Sequence, residues 1–374
     1  MALVLSAEQL ELQATLRQLC EASARESDVR RVMASPTDRD GALWKTLAVD
    51  IGVAGLGVPE NMGGSGGGPV ELSVAASELG RSLACVPFFS SSVLATQALL
   101  LIGDRSAQGD YLHDLCLGAR TATLALTEEN CQWSWSDLKT SARTTGGDEV
   151  VLTGSKDFVL DAGDADLFLV LARSPVGPAL YAVGRSARGV LVEKRATLDQ
   201  TRPMGRLHLV CAPARPVGTA ADFEAGWRRL MNLASVLLAA EQVGGARRVL
   251  EMTVAHAKQR EQFGRPIGSF QAVKHSCAEM LLQVETATSA VEHGLELLTE
   301  RGQAELETEV ADVARVYCSQ AYLDVARRSI QIFGAIGFTW EHACQLYLKR
   351  ALGTAQLLGS AEDRLRDVAD RLCL

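Results

Sequence analysis

The chain has 374 residues, too many for one ordinary domain and enough for two or three. Hydrophobic residues make up 47% and charged residues 22%, near globular averages, which excludes a mainly disordered chain. A formal net charge of −8 argues against a nucleic-acid-binding surface, and with only 5% aromatics the Ala, Leu, Val and Arg richness favours helices over a β-sandwich.

Residues 1–120 read as helical. The opening MALVLSAEQLELQ has no basic stretch and turns acidic at once, so it does not read as a signal peptide. Ser6 stands before Leu10, Leu12, Leu16 and Leu19, an N-cap ahead of helical apolar spacing. A short helix is expected from Leu43 and Trp44 to Val49. The Gly-dense 58–69 lacks the Lys-Ser/Thr of a P-loop and the spacing of a dinucleotide-binding turn, so an interhelix loop is expected there. An amphipathic helix from Pro69 to Leu83 follows. The longest apolar run, Val93 to Ile102, is broken by Thr96 and Gln97 and falls short of the roughly 20 residues that span a bilayer.

The pattern changes near Thr121. Residues 121–129, 141–145, 149–153, 167–171 and 180–183 have strand composition, with a turn expected at Gly146-Gly147-Asp148, so 121–218 reads as a small β domain. Residues 219–374 are helical again. Leu230, Leu233, Leu237, Ala240, Val243 and Ala246 recur at helical steps, with Gly244-Gly245 inside them as a close-packing pair. Further helices are expected at 270–301, 305–333 and 341–358, making an antiparallel four-helix bundle. The fold class is α+β. Nine cysteines are scattered without a CxxC pair or a Cys/His cluster, which points to reduced thiols in a soluble cytoplasmic protein and to no metal site.

Two motifs carry more information. Arg260-Glu261-Gln262-Phe263-Gly264-Arg265 is followed by Gln271, and Gln331-Ile332-Phe333-Gly334-Ala335-Ile336-Gly337-Phe338 comes later. Together with Thr127-Glu128, Gly154-Ser155-Lys156 and the N-terminal LWKTLAVDIGVAGLGVPENMGG, they resemble the landmarks of the acyl-CoA dehydrogenase family, in order along essentially the whole chain. The resemblance implies an N-terminal helical domain, a middle β domain and a C-terminal bundle. It implies FAD as cofactor and α,β-dehydrogenation of an acyl-CoA thioester to a trans-2-enoyl-CoA. A carboxylate then takes the α proton. In the family each flavin is shared between subunits, one β domain holding its ring and the neighbour's bundle much of the rest. Carried over, that bundle role falls to Arg260, Phe263, Gln271, Gln331, Gly334, Ala335 and Gly337. The guanidinium suits a pyrophosphate, and glycines let backbone approach the cofactor.

The departures are as informative. The family's usual base position falls on Leu358, and a minority position on Ala234; neither side chain takes a proton. Glu241 is the best substitute, two helical turns beyond Ala234, although pairing with Arg247 or Arg248 competes with that role. Glu341 has the position of a structural acid. The family's TEPxxGSD becomes Thr127-Glu128-Glu129-Asn130-Cys131-Gln132-Trp133-Ser134-Trp135-Ser136-Asp137, without its Pro and Gly. The hydroxyl of the Ile-Thr after the lysine strand is replaced by Val159-Leu160. The bundle half of the site is nearly intact, the β half is eroded and the base is missing. The chain therefore resembles one subunit of a heteromeric enzyme, α2β2 with a paralogue that carries the Glu, with an electron-transfer flavoprotein as acceptor. Some relatives built this way act on bulky CoA thioesters such as steroid side chains. The competing expectations are a self-sufficient homotetramer using Glu241, a flavin monooxygenase and a silent scaffold of the same fold.

Overall fold

The computed structural model describes residues 3–37, 39–130, 133, 135, 137–145, 149–300 and 304–371, and the side chains of 220–222 are left aside. The expected turn at Gly146-Gly147-Asp148, and Cys131, Gln132, Ser134, Ser136 and Cys373, lie outside the described residues.

The first part of the chain is helical, as its spacing predicts. Helix α1 (Ala7–Ser23) starts at Ser6 through a reciprocal cap: Gln9 N–H donates to the Ser6 hydroxyl and Ser6 N–H to the Gln9 side chain. Then come α2 (Glu26–Met33), α3 (Gly41–Lys45), α4 (Pro69–Ser82), α5 (Thr96–Leu101) and α6 (Arg105–Cys116). Residues 58–68 are loop apart from one turn at Glu60–Met62. Helix α4 is expected to show one apolar face, but residues 72–76 and 78–80 are all buried, Glu78 included. That burial is tolerable because Arg17 clamps the Glu78 carboxylate with two hydrogen bonds of 3.1 and 2.6 Å.

The strands are β1 (Ala122–Ala125), β2 (Ser141–Thr144), β3 (Val150–Leu160), β4 (Leu167–Ser174), β5 (Gly177–Gly184), β6 (Val190–Arg195) and β7 (Met204–Val217). They pair in the order β1-β4-β2-β3-β7-β5, β6 lies on β7, and β5 also pairs with β4, so the sheet returns on itself. Phe168, Leu152, Leu207 and Tyr181 are among the side chains that fill its interior.

The last part is helical too. Helix α7 (Ala220–Gln259) is followed by the two-residue strands β8 (Glu261–Gln262) and β9 (Arg265–Pro266), then α8 (Gln271–Thr299), α9 (Ala304–Phe333), α10 (Ala335–Phe338), α11 (Cys344–Thr354) and α12 (Ala361–Arg371). Every residue from 230 to 246 is buried, so α7 runs through protein interior rather than along its surface. Gly244-Gly245 does allow close packing. A Cβ on Gly244 would lie 2.0 Å from the Ser77 carbonyl oxygen, and one on Gly245 2.6 Å from the Tyr322 ring. Among the described residues, no helix is long and apolar enough to cross a membrane and no metal-binding group of His, Cys, Asp and Glu occurs.

Two compact units result. One comprises Met1–Arg30, Ser73–Ala84 and Ser235–Leu374; the other comprises Arg31–Leu72 and Cys85–Ala234. The first is called the helical unit below and the second the sheet unit.

Candidate functional site

In the helical unit, α7 ends at Gln259 and the chain turns back through β8 and β9. Phe263 and Gly264 make the two-residue turn, both with positive φ, 55° and 74°. Two positive φ angles in such a loop match a tight hairpin turn, a conformation that suits Gly and strains Phe by about 1–2 kcal/mol. Phe263 is nevertheless 91% exposed, so no internal packing rewards the strain. Its ring lies 6.1 Å from that of Phe270, which itself lies under the Arg265 guanidinium at 4.1 Å. Arg260 and Gln271 are exposed beside it.

The second motif ends α9 and forms α10. Gln331, Gly334 and Ala335 are exposed. Gly334 has φ 69° and ψ −144°, with open space where a Cβ would stand. Ala335, where the family has Gly, is at a position with room for its methyl. Gly337 is different: a Cβ there would press on Phe333 and the Ile330 carbonyl at 3.0–3.1 Å, so its small size serves packing. The two motifs are brought together. His256, four residues before Arg260, has its ring 4.4 Å from that of Phe333, the residue before Gly334.

The two positions where the resemblance leads one to expect a base hold apolar groups. Leu358 is fully buried with φ 60°, and Ala234 is fully buried as well. The Leu358 turn is held from two sides. Arg315 donates to the carbonyls of Thr354 and Leu357 at 2.6 and 2.7 Å, and Arg364 donates to that of Leu358 at 3.1 Å. The left-handed turn thus persists without a carboxylate on it. Glu241 is buried, 6% exposed, and Arg350 donates to it at 2.9 Å. Arg247 binds Glu285, and Arg248 lies 3.7 Å from Glu251. The Glu241 carboxylate is thus engaged inside the protein by a buried guanidinium. Glu341 is exposed.

The sheet unit has used its motif residues internally. Thr127 donates its hydroxyl to the Asp157 carbonyl. Glu128 accepts from the backbone N–H groups of Lys139 and Thr140 and from Lys156 Nζ at 2.9 Å. Burial pushes the Lys156 ammonium down to about 8, against the opposing pull of Glu128. For Glu128 burial pushes up, but Lys156 and the two N–H donors outweigh it and hold the carboxyl below its ordinary value. Burial likewise opposes ionisation of Asp157, yet hydrogen bonds from Arg195 and Arg206 hold that carboxyl far below the usual range. Leu160 is buried and has no hydroxyl to offer. Trp135 stacks edge-on against Phe223 and Trp227 at 5.7 and 5.8 Å. Trp133 is half-buried. The motif residues of the helical unit are thus mostly exposed, whereas Thr127, Glu128 and Lys156 of the sheet unit are buried and hydrogen-bonded within it.

Spacing alone exposes the motif residues but not their supports. His256, His342, Arg315, Arg364 and Arg350 carry no local signal beyond residue type.

The N-terminal domain model of acyl-CoA dehydrogenases matches residues 6–119 and the C-terminal domain model residues 225–373. The acyl-CoA dehydrogenase IpdE2 of Mycolicibacterium smegmatis is 33% identical over 97% of this chain and 98% of its own length. Among solved structures, the ChsE4-ChsE5 complex from Mycobacterium tuberculosis is 29% identical with a TM-score of 0.90, covering 100% of this chain and 99% of that one. A variant of the Tcur3481-Tcur3483 steroid ACAD is 31% identical with a TM-score of 0.88, covering 98% of both chains. The fold, the ordered motifs and these relatives agree that the chain belongs to the acyl-CoA dehydrogenase family, oxidoreductases acting on the CH–CH bond of acyl-CoA thioesters.

Proposed function

We propose that this chain is the cofactor-lending subunit of a heteromeric, FAD-dependent acyl-CoA dehydrogenase. The observation that carries this reading is the contrast at Phe263, strained, solvent-exposed and next to Arg260 and Gln271, while the base position is a buried leucine. Bound FAD supplies hydride acceptance, the redox half of α,β-dehydrogenation. Arg260 would hold the pyrophosphate through charge-assisted donors, Phe263 would cover apolar cofactor surface, and Gln271 and Gln331 would donate and accept at polar edges. Backbone at Gly334 and Ala335 would approach the cofactor closely. The proton-accepting carboxylate and the contacts to the flavin ring come from a paralogous partner in an α2β2 assembly. Exposed Ile336, Phe338, Leu281 and Leu282 in the same unit suit burial against such a partner. One similar structure is named as the ChsE4-ChsE5 complex, which supports a paralogous partner, and another is named as the Tcur3481-Tcur3483 steroid ACAD, which supports a bulky, steroid-type CoA thioester as substrate. An electron-transfer flavoprotein is the proposed acceptor. The buried Glu241–Arg350 pair disfavours a self-sufficient homotetramer.

The test is FAD per chain. Purified alone, the chain is expected to be colourless and inactive. Copurified with a paralogue carrying the Glu, it is expected to retain fewer flavins than chains and to turn over acyl-CoA. One FAD per chain with full activity in the single-chain preparation overturns the proposal.

A further inference from the structure

We infer that His256 and His342, both packed on Phe333, are positioning residues that keep the two cofactor-facing segments together while their imidazoles are uncharged. The inference rests on the half-site proposed above. Phe333 meets the His256 ring at 4.4 Å and the His342 ring at 4.3 Å. Each contact is tied to a motif. The His256 carbonyl accepts the Arg260 N–H at 2.8 Å, so moving His256 moves the turn that presents Arg260 and Phe263. Phe333 directly precedes Gly334. His342 follows α10, and its Nδ1 accepts the N–H of Cys344, the first residue of α11, at 3.1 Å.

Charge would act against this arrangement in three ways. A doubly protonated His342 has no lone pair for the Cys344 N–H. It would also put a cation at the N-terminus of α11, where the helix dipole disfavours one. Lastly, His256 faces His342 and Arg260, both of which oppose a charge on it. At His342 the favourable pull of Glu26 exceeds the repulsion of Arg30, the ion-pair partner of Glu26 at 2.6 Å, so there burial and the Cys344 contact oppose the charge. Burial is the largest cause for both and holds both imidazoles below their ordinary value, helped at His256 by the neighbouring charges and opposed at His342 by Glu26. One imidazolium could gain from the Phe333 face, but two would share that ring and repel. The sign follows from linkage. A group uncharged when packed and readily protonated when released contributes fully above the ordinary His range, about pH 6.5, and that contribution fades as pH falls through it.

The experiment uses the copurified two-chain complex and the full chain alone. FAD retention after gel filtration is compared at about pH 7.5 and about pH 5.5, on either side of the ordinary His range. A severalfold loss at the lower pH is expected, and His256→Phe, which keeps a ring but no titrating group, is expected to flatten it. The imidazole signals of the chain alone are titrated by NMR in parallel, and both are expected to titrate below free histidine. An unchanged acid loss in both His256→Phe and His342→Phe overturns the inference, as does either imidazole titrating at or above the free value. A complex without FAD at any pH defeats the proposed function instead, and the NMR titration then still decides the stack. That titration also decides it if the variants fail to fold.

Discussion

The two units treat the same class of group in opposite ways. In the sheet unit, Thr127, Glu128, Lys156 and Asp157 are satisfied by one another and by Lys139, Thr140, Arg195 and Arg206. In the helical unit, Arg260, Gln271 and Gln331 are exposed, as is the strained Phe263. Internal hydrogen bonds of the first kind raise stability but leave nothing to offer a ligand. Exposed groups held by a rigid scaffold do the reverse. The difference teaches where to seek a ligand-facing surface in this chain: on the exposed motif residues rather than on those bonded inside the sheet unit.

The strongest way to break that comparison lies inside the helical unit. If Glu241 were a base waiting for substrate, freeing it would matter for chemistry more than for stability. If it is half of a buried ion pair, Arg350→Ala takes the guanidinium from a carboxylate that is 6% exposed. Such losses cost about 3–5 kcal/mol. Chemical denaturation of the full chain is expected to show a loss of that size. Replacing both partners by apolar groups, Glu241→Leu with Arg350→Met, is expected to recover most of it. A stability change under about 1 kcal/mol in Arg350→Ala would mean that the pair is not closed as described.

The second test works on the surface of the same unit. Arg260→Ala is expected to leave the fold intact, because Arg260 is exposed. It is expected to weaken FAD retention by the two-chain complex by about 2 kcal/mol, roughly 30-fold, as for a lost charge-assisted contact. Titration of FAD into the stripped complex, followed by flavin fluorescence, measures it. An unchanged affinity would show that the outward groups have no cofactor role, and the contrast between the units would lose its meaning.

Much of the fold was legible because its signals are local. The Ser6 cap acts over three residues, and the Arg260–Gln271 spacing is fixed by one hairpin and one helix start. What sequence could not supply is pairing over distance. Arg350 reaches Glu241 across 109 positions, and nothing near either residue distinguishes it from Arg247 or Arg248. The His256–Phe333–His342 stack is equally nonlocal. The same holds for Trp135, whose ring partners Phe223 and Trp227 come from α7. The extensive burial of α4 and of residues 230–246 escaped an apolar-stripe pattern because Ser and Glu interrupt both, and Gln242 the second, although Glu78 and Gln242 are satisfied once the fold supplies their partners.

The gentlest test is made in the sheet unit and reads its internal use of charge directly. Asp157 accepts from Arg195 at 2.8 and 2.5 Å and from Arg206 at 3.0 and 2.5 Å, and these contacts outweigh burial to hold its carboxyl well below the usual range. A depressed carboxyl contributes stability that is complete above its unfolded value, about 3.9, and is lost as pH falls toward the folded one. Asp157→Asn is therefore expected to lower stability at neutral pH and to make the acid side of the stability profile shallower. Denaturant midpoints between about pH 3 and pH 7 measure both. Because Arg195 and Arg206 are partly exposed, solvent screens the pair and the change is expected to be smaller than that of Arg350→Ala. A variant with the wild-type acid slope would show that Asp157 is not drawn inward by its arginines, and the sheet unit would then have a free anion where the comparison requires none.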